Sequence, residues 1–435
     1  MSHFIQQEIE RLQETYLENT PKSREVFEQA KASLPAGNTR NNLFFPPYPP
    51  YFNHGEGCKL TDVDGNTYLD FLSDFTVAIY GHSHPRLRQE AQDVLGRGCN
   101  YGGCIPAEHK LANALIDRFK GIDQLRFTNS GTEANLYALL TALAHSQKPK
   151  VIVFEGGYHG GVMNYCHENI PINAPFEIIV VPYNDPLAFE QALFEQGSEI
   201  GAVVMELMVN AGGCIPATEI FAKSVRKMTR ELNIPLVIDE VMTARLGYSG
   251  LQGQYGIEAD MTCLGKFIGG GFTIGAFGGK REFMEIYDAQ HPGYTAHGGS
   301  FNNNVFSMHV GAAALNEVLT LEVMNSLNDR GDQLREQLNL LFREAEVPLM
   351  FIGTGSVMNL HLTREPLLQK NRNPLSAEIA KLYHRFLLNE GIWIAARGLI
   401  ALNIALNDDS YKALIDTTAA FVDRHQKELQ ALPER

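Results

Sequence analysis

Paired cysteines, basic clusters and long apolar runs are what this 435-residue chain lacks. Its six cysteines (Cys58, Cys99, Cys104, Cys166, Cys214, Cys263) are scattered, with no CxxC pair and no zinc-type grouping with histidine. Neither a disulfide framework nor a metal centre is expected, and the thiols are read as reduced, small apolar side chains. Lys and Arg number 36 against 50 Asp and Glu, a net charge of −14. That balance argues against a nucleic-acid groove or an anionic membrane surface, since both require clustered cations. No run reaches the length of a membrane span. The N-terminal MSHFIQQEIERLQETYLENT carries Glu and Gln throughout and has no apolar core of a secretory signal. A cytoplasmic protein is expected, and no repeat or low-complexity tract interrupts it.

What is present is an ordinary globular composition, 44% hydrophobic and 20% charged, over a length that suggests two or three domains. A chain this long buries a large core without staples. The first thirty or so residues place Ile5, Ile9, Leu12 and Tyr16 at helical spacing, with a break near Pro21. PPYPPY (46–51) reads as extended loop, and GCKLTDVDGNTYLDFLSD as a hairpin turning at Asp64-Gly65. Beyond about residue 110, short β-branched runs recur: VIVF (151–154), FEIIVV (176–181), AVVMEL (202–207) and PLVIDE (235–240). Helical stretches separate them, TEANLYALLTALAH (132–145) and IFAKSVRKMTRELN (220–233). Strands without polar alternation, separated by helices, predict a parallel sheet covered on both faces. From about residue 322 a long charged helix, further strands and helices over 376–390 and 410–428 predict a smaller α+β domain.

Four features fall at or near predicted strand ends, where open α/β sheets bind ligands. TNSGTEAN (128–135) opens a helix; either its N–H groups with Ser130 and Thr132 hold an anion such as phosphate, or Ser130 and Glu133 form an ordinary capping box. Tyr158, in FEGGYHGG (154–161), is either a ring presented on a glycine loop or one packed over it. Asp239 ends an apolar strand, where a carboxylate needs a cationic or donor partner, a protonated ring nitrogen or a neighbouring side chain. Lys266 stands in MTCLGKFIGGGFTIGAFGG (261–279), a run with no Asp or Glu. A lysine in such a place either extends its head to the surface or, desolvated, becomes an amine able to attack a carbonyl. Together the four are the parts that hold pyridoxal phosphate.

SGTEA, YHGG, DEVMT, LGKFIGGG and HGGSFNNN (297–304) resemble the class III aminotransferases of pyridoxal-phosphate fold type I, from about residue 33 to the C-terminus. Within the class, NSGTEANL, GGYHGG, DEVMT followed by a small residue and Arg-Leu, and FNNN are similar to β-amino-acid (β-phenylalanine) aminotransferases, with glutamate-1-semialdehyde aminomutases as relatives. The resemblance implies an α/β fold with a mostly parallel seven-stranded sheet between helices in a large domain (71–320). It implies a smaller α+β domain from the C-terminus (321–435), with the N-terminal segment (1–70) packing against it. It further implies Lys266 as the Schiff-base lysine, Asp239 as partner of the pyridine nitrogen and Tyr158 as the ring-stacking aromatic. Ser130, Gly131 and Thr132 match the phosphate cup, and Glu206 and Met242 join the cofactor-binding set. Ser300 falls where the family usually has a Thr that reaches the neighbouring subunit's phosphate, which implies a homodimer with shared sites. Arg40 (GNTRNNLFF) matches the arginine that takes the substrate carboxylate in the β-amino-acid enzymes. Arg397 (AARGL) matches their C-terminal arginine for the keto-acid partner; a planar guanidinium meets a carboxylate bidentately.

The expected activity is transfer of an amino group from a β-amino acid with an apolar side chain to a keto acid such as 2-oxoglutarate or pyruvate. The rivals are glutamate-1-semialdehyde aminomutase, an ω-amine transaminase, and a non-catalytic protein that keeps the fold. Two departures bear on them. The usual Glu-Pro is Glu206-Leu207, which alters the pocket wall. The small-residue loop of the aminomutases is replaced by MNYCHENIPINAP (163–175), bulkier and with two prolines, which argues against that activity.

Overall fold

The computed structural model describes residues 2–166 and 170–433, so positions 167–169 of MNYCHENIPINAP lie outside the described residues. The chain forms two compact units: Met1–His84, Asp329–Leu367 and Asn371–Arg435 make one, and Pro85–Asn328 with Leu368–Lys370 the other.

The larger unit is built on a seven-stranded sheet. Its strands are β1 (Gln124–Thr128), β2 (Lys150–Phe154), β3 (Glu177–Val181), β4 (Ile200–Met205), β5 (Leu236–Asp239), β6 (Met261–Gly265) and β7 (Gly275–Gly279). They lie in the order β1-β7-β6-β5-β4-β2-β3. All neighbours run parallel except β7, which is antiparallel to both β6 and β1. The β-branched runs read from sequence form β2 to β5, and β4 and β5 are buried at every position, as strands covered on both faces must be.

Strand β7 has no such signature. GAFGG is a poor strand former by propensity, but its glycines let neighbouring backbone come close: a Cβ on Gly275 would lie 2.1 Å from the Ser130 carbonyl oxygen, and one on Gly278 2.6 Å from Leu125 Cβ. Helix α1 (Gly131–Ser146) packs Ala134, Ala138 and Ala142 at four-residue spacing, together with Leu139, on Val151, Val153, Val204, Val237 and Phe277. Those small side chains bring the helix axis close to the sheet. Helix α2 (Glu219–Glu231), capped by Thr218, buries Phe221, Ala222 and Val225.

In the smaller unit the N-terminal helices Ser2–Asn19 and Pro21–Ala30 break at Pro21 as expected, and the first packs on helix Pro374–Asn389. The hairpin Lys59–Asp62/Thr67–Asp70 is extended by Ile392–Trp393, which runs parallel to its second strand. Leu349–Thr354, Val357–Leu362 and Leu399–Ala401 form a separate antiparallel sheet. Among the described residues no helix is long and apolar enough to cross a membrane.

Candidate active site

The site gathers at the carboxyl edge of the larger unit's sheet. Thr128 of β1 pairs with Gly275 of β7, and Gly275 with Gly265 of β6, so three register-matched residues lie in one row. The turn leaving β1 at Ser130 and the lysine following Gly265 therefore leave the sheet two strand spacings apart, about 10 Å. Lys266 is partly buried and sits at φ +57°, a left-handed backbone for a residue with a β-carbon. Such conformations cost on the order of 1–3 kcal/mol and concentrate at functional sites.

Asp239, at the end of β5, is 4% exposed. Three donors converge on it: Asn135 Nδ2 to Oδ2 at 2.9 Å, His159 Nδ1 to Oδ2 at 2.9 Å and the Val241 N–H to Oδ1 at 2.9 Å. Two of these groups, Asn135 and His159, stand inside motifs quoted above without having been assigned a role. His159 follows Tyr158 directly, and the structure leaves the Tyr158 ring exposed while it buries the imidazole against Asp239. Burial opposes charge on His159, yet the hydrogen bond and charge of Asp239, with Glu206 behind them, raise its pKa.

Tyr158 presents its side chain with 43% exposure while its backbone is held: its N–H donates to Glu206 Oε2 at 2.9 Å, and it bridges to Asn164. Glu206 is buried, and burial first, then the charge of Asp239, pushes its carboxyl up to about 7 against His159 and two backbone N–H donors. The loop after Tyr158 lies hard against α1. A Cβ on Gly160, at φ +113°, would come 2.4 Å from Thr132 Oγ1 and 2.7 Å from Thr132 Cα. Gly160→Ala is accordingly expected to cost about 2–3 kcal/mol and to lower cofactor retention, read by thermal unfolding and by cofactor content after gel filtration; unchanged values for both would refute the close approach. Farther along, Asn173 Oδ1 accepts from the Asn164 N–H (2.9 Å) and its Nδ2 donates to the Asn164 carbonyl (2.8 Å).

Ser130 caps α1: its Oγ accepts from the Glu133 N–H at 3.1 Å, while Glu133 Oε2 accepts from the Asn129 N–H at 2.9 Å. The capping bond uses a lone pair of Ser130, leaving its O–H to donate, and the N–H groups of Gly131 and Thr132 have no intrahelical acceptor. Helix start and anion cradle are compatible here. Met242 is buried just beyond Asp239. Ser300 is exposed and lines a cavity of about 530 Å³ with Tyr101, Gly102, Phe301 and Asn303. Two residues on, Asn302 Oδ1 accepts from Asn129 Nδ2 at 3.0 Å.

Arg40 and Arg397 belong to the smaller unit. Arg40 Nη1 donates to Asp74 Oδ1 at 2.6 Å, and its guanidinium lies 5.4 Å from the Phe75 ring centre, so a carboxylate contact already exists there. Arg397 Nη1 donates to Asn359 Oδ1 at 3.4 Å.

Glu240 is fully buried, and accepts from the Gln252 N–H (2.7 Å), the Leu251 N–H (3.2 Å) and the Thr243 hydroxyl (2.5 Å). Burial outweighs those bonds and pushes its carboxyl from 4.5 up to about 7. The folded state then binds this proton more tightly, so the group's contribution to stability is full below about pH 4.5 and lost as pH rises through 7. Denaturant titrations of Glu240→Gln across that window are expected to show a decline shallower than wild type by up to about 3 kcal/mol; parallel curves would contradict it.

These residues fit pyridoxal phosphate. A helix start with two hydroxyls suits a phosphate, an exposed phenol ring can cover a flat heterocycle, a strand-end carboxylate with an accepting lone pair left on Oδ1 suits a ring N–H, and a lysine amine suits an aldehyde. The sheet, one antiparallel strand within an otherwise parallel seven, is that of the fold type I pyridoxal-phosphate enzymes. The aminotransferase class-III family model matches residues 46–409, and the chain belongs to that family. It is a pyridoxal-phosphate-dependent aminotransferase, acting on an amino donor and a keto acid. It is 39% identical over 413 residues to a β-phenylalanine transaminase of Variovorax paradoxus, 94% of each chain. A solved β-phenylalanine aminotransferase from Variovorax paradoxus superposes with a TM-score of 0.96 at 38% identity, covering 98% of this chain and 99% of that one. A glutamate-1-semialdehyde 2,1-aminomutase of Methanobrevibacter smithii is 32% identical over 388 residues, 86% of this chain and 90% of its own.

Proposed function

We propose that this aminotransferase takes its amino group from a β-amino acid with an aromatic or aliphatic side chain and delivers it to 2-oxoglutarate or pyruvate. The convergence of Asn135, His159 and the Val241 N–H on Asp239, whose register partner Cys263 lies three residues before Lys266, carries the reading. When bound, pyridoxal phosphate supplies an electron sink for the substrate carbon losing its proton. The chain supplies the rest. Asp239 would hold the proton of the ring nitrogen. The first turn of α1, with Ser130 and Thr132, binds the phosphate. Tyr158, with its ring exposed, would cover one face of the cofactor and exclude water from it. Lys266, partly buried in a left-handed turn just past the end of β6, would supply through Nζ the amine for the cofactor aldehyde and the base for the substrate proton.

The choice of a β-amino acid is supported by Arg40 in GNTRNNLFF, by the aromatic-rich LFFPPYPPYF (43–52), and by likeness to β-phenylalanine transaminases. Arg40 takes the substrate carboxylate in this reading, in exchange for Asp74, and Arg397 that of the keto acid. Arg40→Ala is expected to raise KM for β-amino acids about 10- to 100-fold, the worth of a charge-assisted pair, and to leave plain amines unaffected. Equal loss on both donor types would favour the ω-amine reading. Against the aminomutase stand the bulky residues of the 163–175 sequence and the two hydrogen bonds that join Asn164 to Asn173. A panel of α-, β- and ω-amino donors with each keto acid decides among the three. The active unit in this reading is a cytoplasmic homodimer in which Ser300 reaches the neighbouring subunit's phosphate. Its exposure beside half-exposed Tyr101 and Phe301 supports that.

A further inference from the structure

Asn135 lies one helical turn beyond Gly131 and uses both hydrogens of its side-chain amide. One goes to the Gly131 carbonyl at 3.0 Å, the other to Asp239 Oδ2 at 2.9 Å. Both neighbours are acceptors, so the NH2 group must face them. Its Oδ1 is buried without a hydrogen-bond partner. Leaving a buried acceptor unsatisfied costs stability, and the alanines at 134, 138 and 142 show what this helix face holds where packing alone decides. A half-satisfied amide therefore needs a reason beyond packing.

The two groups it joins supply one. Gly131 opens the first turn of α1, the anion cradle, and a Cβ there would lie 2.7 Å from Val241 Cγ1, so this turn already rests on the residue whose N–H serves Asp239. Asp239, in the proposed role, would hold the ring-nitrogen end of the same cofactor. We infer that Asn135 is a positioning residue: its one NH2 group locks the turn that holds the phosphate end to the carboxylate that holds the ring-nitrogen end. This inference rests on the proposed cofactor contacts of Ser130, Thr132 and Asp239 and not on the choice of donor substrate. With His159 bonded to the same Oδ2, Asp239 is held from two sides, and the Oδ1 lone pair not used by the Val241 N–H would be available to a ring N–H.

Binding to the stripped full-length chain tests this without reference to turnover. Equilibrium dialysis would measure pyridoxal phosphate, pyridoxal (no phosphate) and a 1-deaza analogue (no ring nitrogen) on wild type and Asn135→Ala. Asn135→Ser is the second variant if Ala does not fold. The expected result is a loss of about 10- to 100-fold for pyridoxal phosphate, set by a hydrogen bond to a charged group, and a clearly smaller loss for each analogue. Restoring the amide one methylene farther out, Asn135→Gln, should not rescue it. A loss equal for all three probes would mark Asn135 as merely structural. A loss absent only for the deaza analogue would confine its role to Asp239, and no loss at all would remove it; each overturns the inference. If wild type binds the cofactor but transaminates no β-amino acid, the substrate reading fails and this one stands.

Discussion

Replacement of Lys266 by alanine is expected to lower transamination by at least about a thousandfold, the scale of a lost general base, while the cofactor is still bound. The substitution leaves both the backbone turn and the other cofactor contacts in place. Ala keeps a β-carbon and so meets the same left-handed backbone demand at φ +57°, which makes a collapse of the turn an inadequate explanation for lost rate. The cradle at Ser130 to Thr132, the ring of Tyr158 and the Asp239 cluster are untouched, so affinity falls far less than turnover. Borohydride treatment followed by peptide mass analysis separates the cases: wild type retains cofactor mass on the Lys266 peptide, and Lys266→Ala does not. Transamination by the variant at the wild-type rate would falsify the assignment.

The second large effect is expected at Asp239. Asp239→Asn keeps the shape but sets an amide among three donors, the Asn135 amide, His159 Nδ1 and the Val241 N–H. In the proposed role the variant removes the buried counter-charge of the ring nitrogen, and the rate is expected to fall about 100- to 1,000-fold, as for other lost transition-state charge partners. His159 provides an independent readout. Burial works against its charge, and the hydrogen bond to Asp239 does most to raise its pKa, so its NMR titration midpoint should drop in the variant. A midpoint that stays put would mean that His159 is not held by this carboxylate.

The strands β2 to β5 were legible because β-branched apolar runs between helical periods leave few alternatives, and the position of Asp239 at a strand end followed from where polarity returns. Strand β7 was not. GAFGG becomes a strand through what it admits, the Ser130 carbonyl and the Leu125 side chain, and neither neighbour is near it in sequence. The same holds for Asp239's partners. Local reasoning required a donor beside a buried carboxylate, but Asn135 and His159 come from 104 and 80 residues away.

Residue order and type alone settled the cofactor class: a lysine in a run without carboxylates, a strand-end aspartate, a glycine-flanked tyrosine and a serine-capped helix start admit few common explanations. Tertiary structure decided which groups hold those four in place. It put Lys266 in a left-handed turn, tied Tyr158 to Glu206 through a backbone bond, and set one asparagine amide between the helix start and the aspartate. Chain periodicity records which face of an element is apolar, whereas hydrogen bonds between elements depend on strand order and register, which no local pattern encodes.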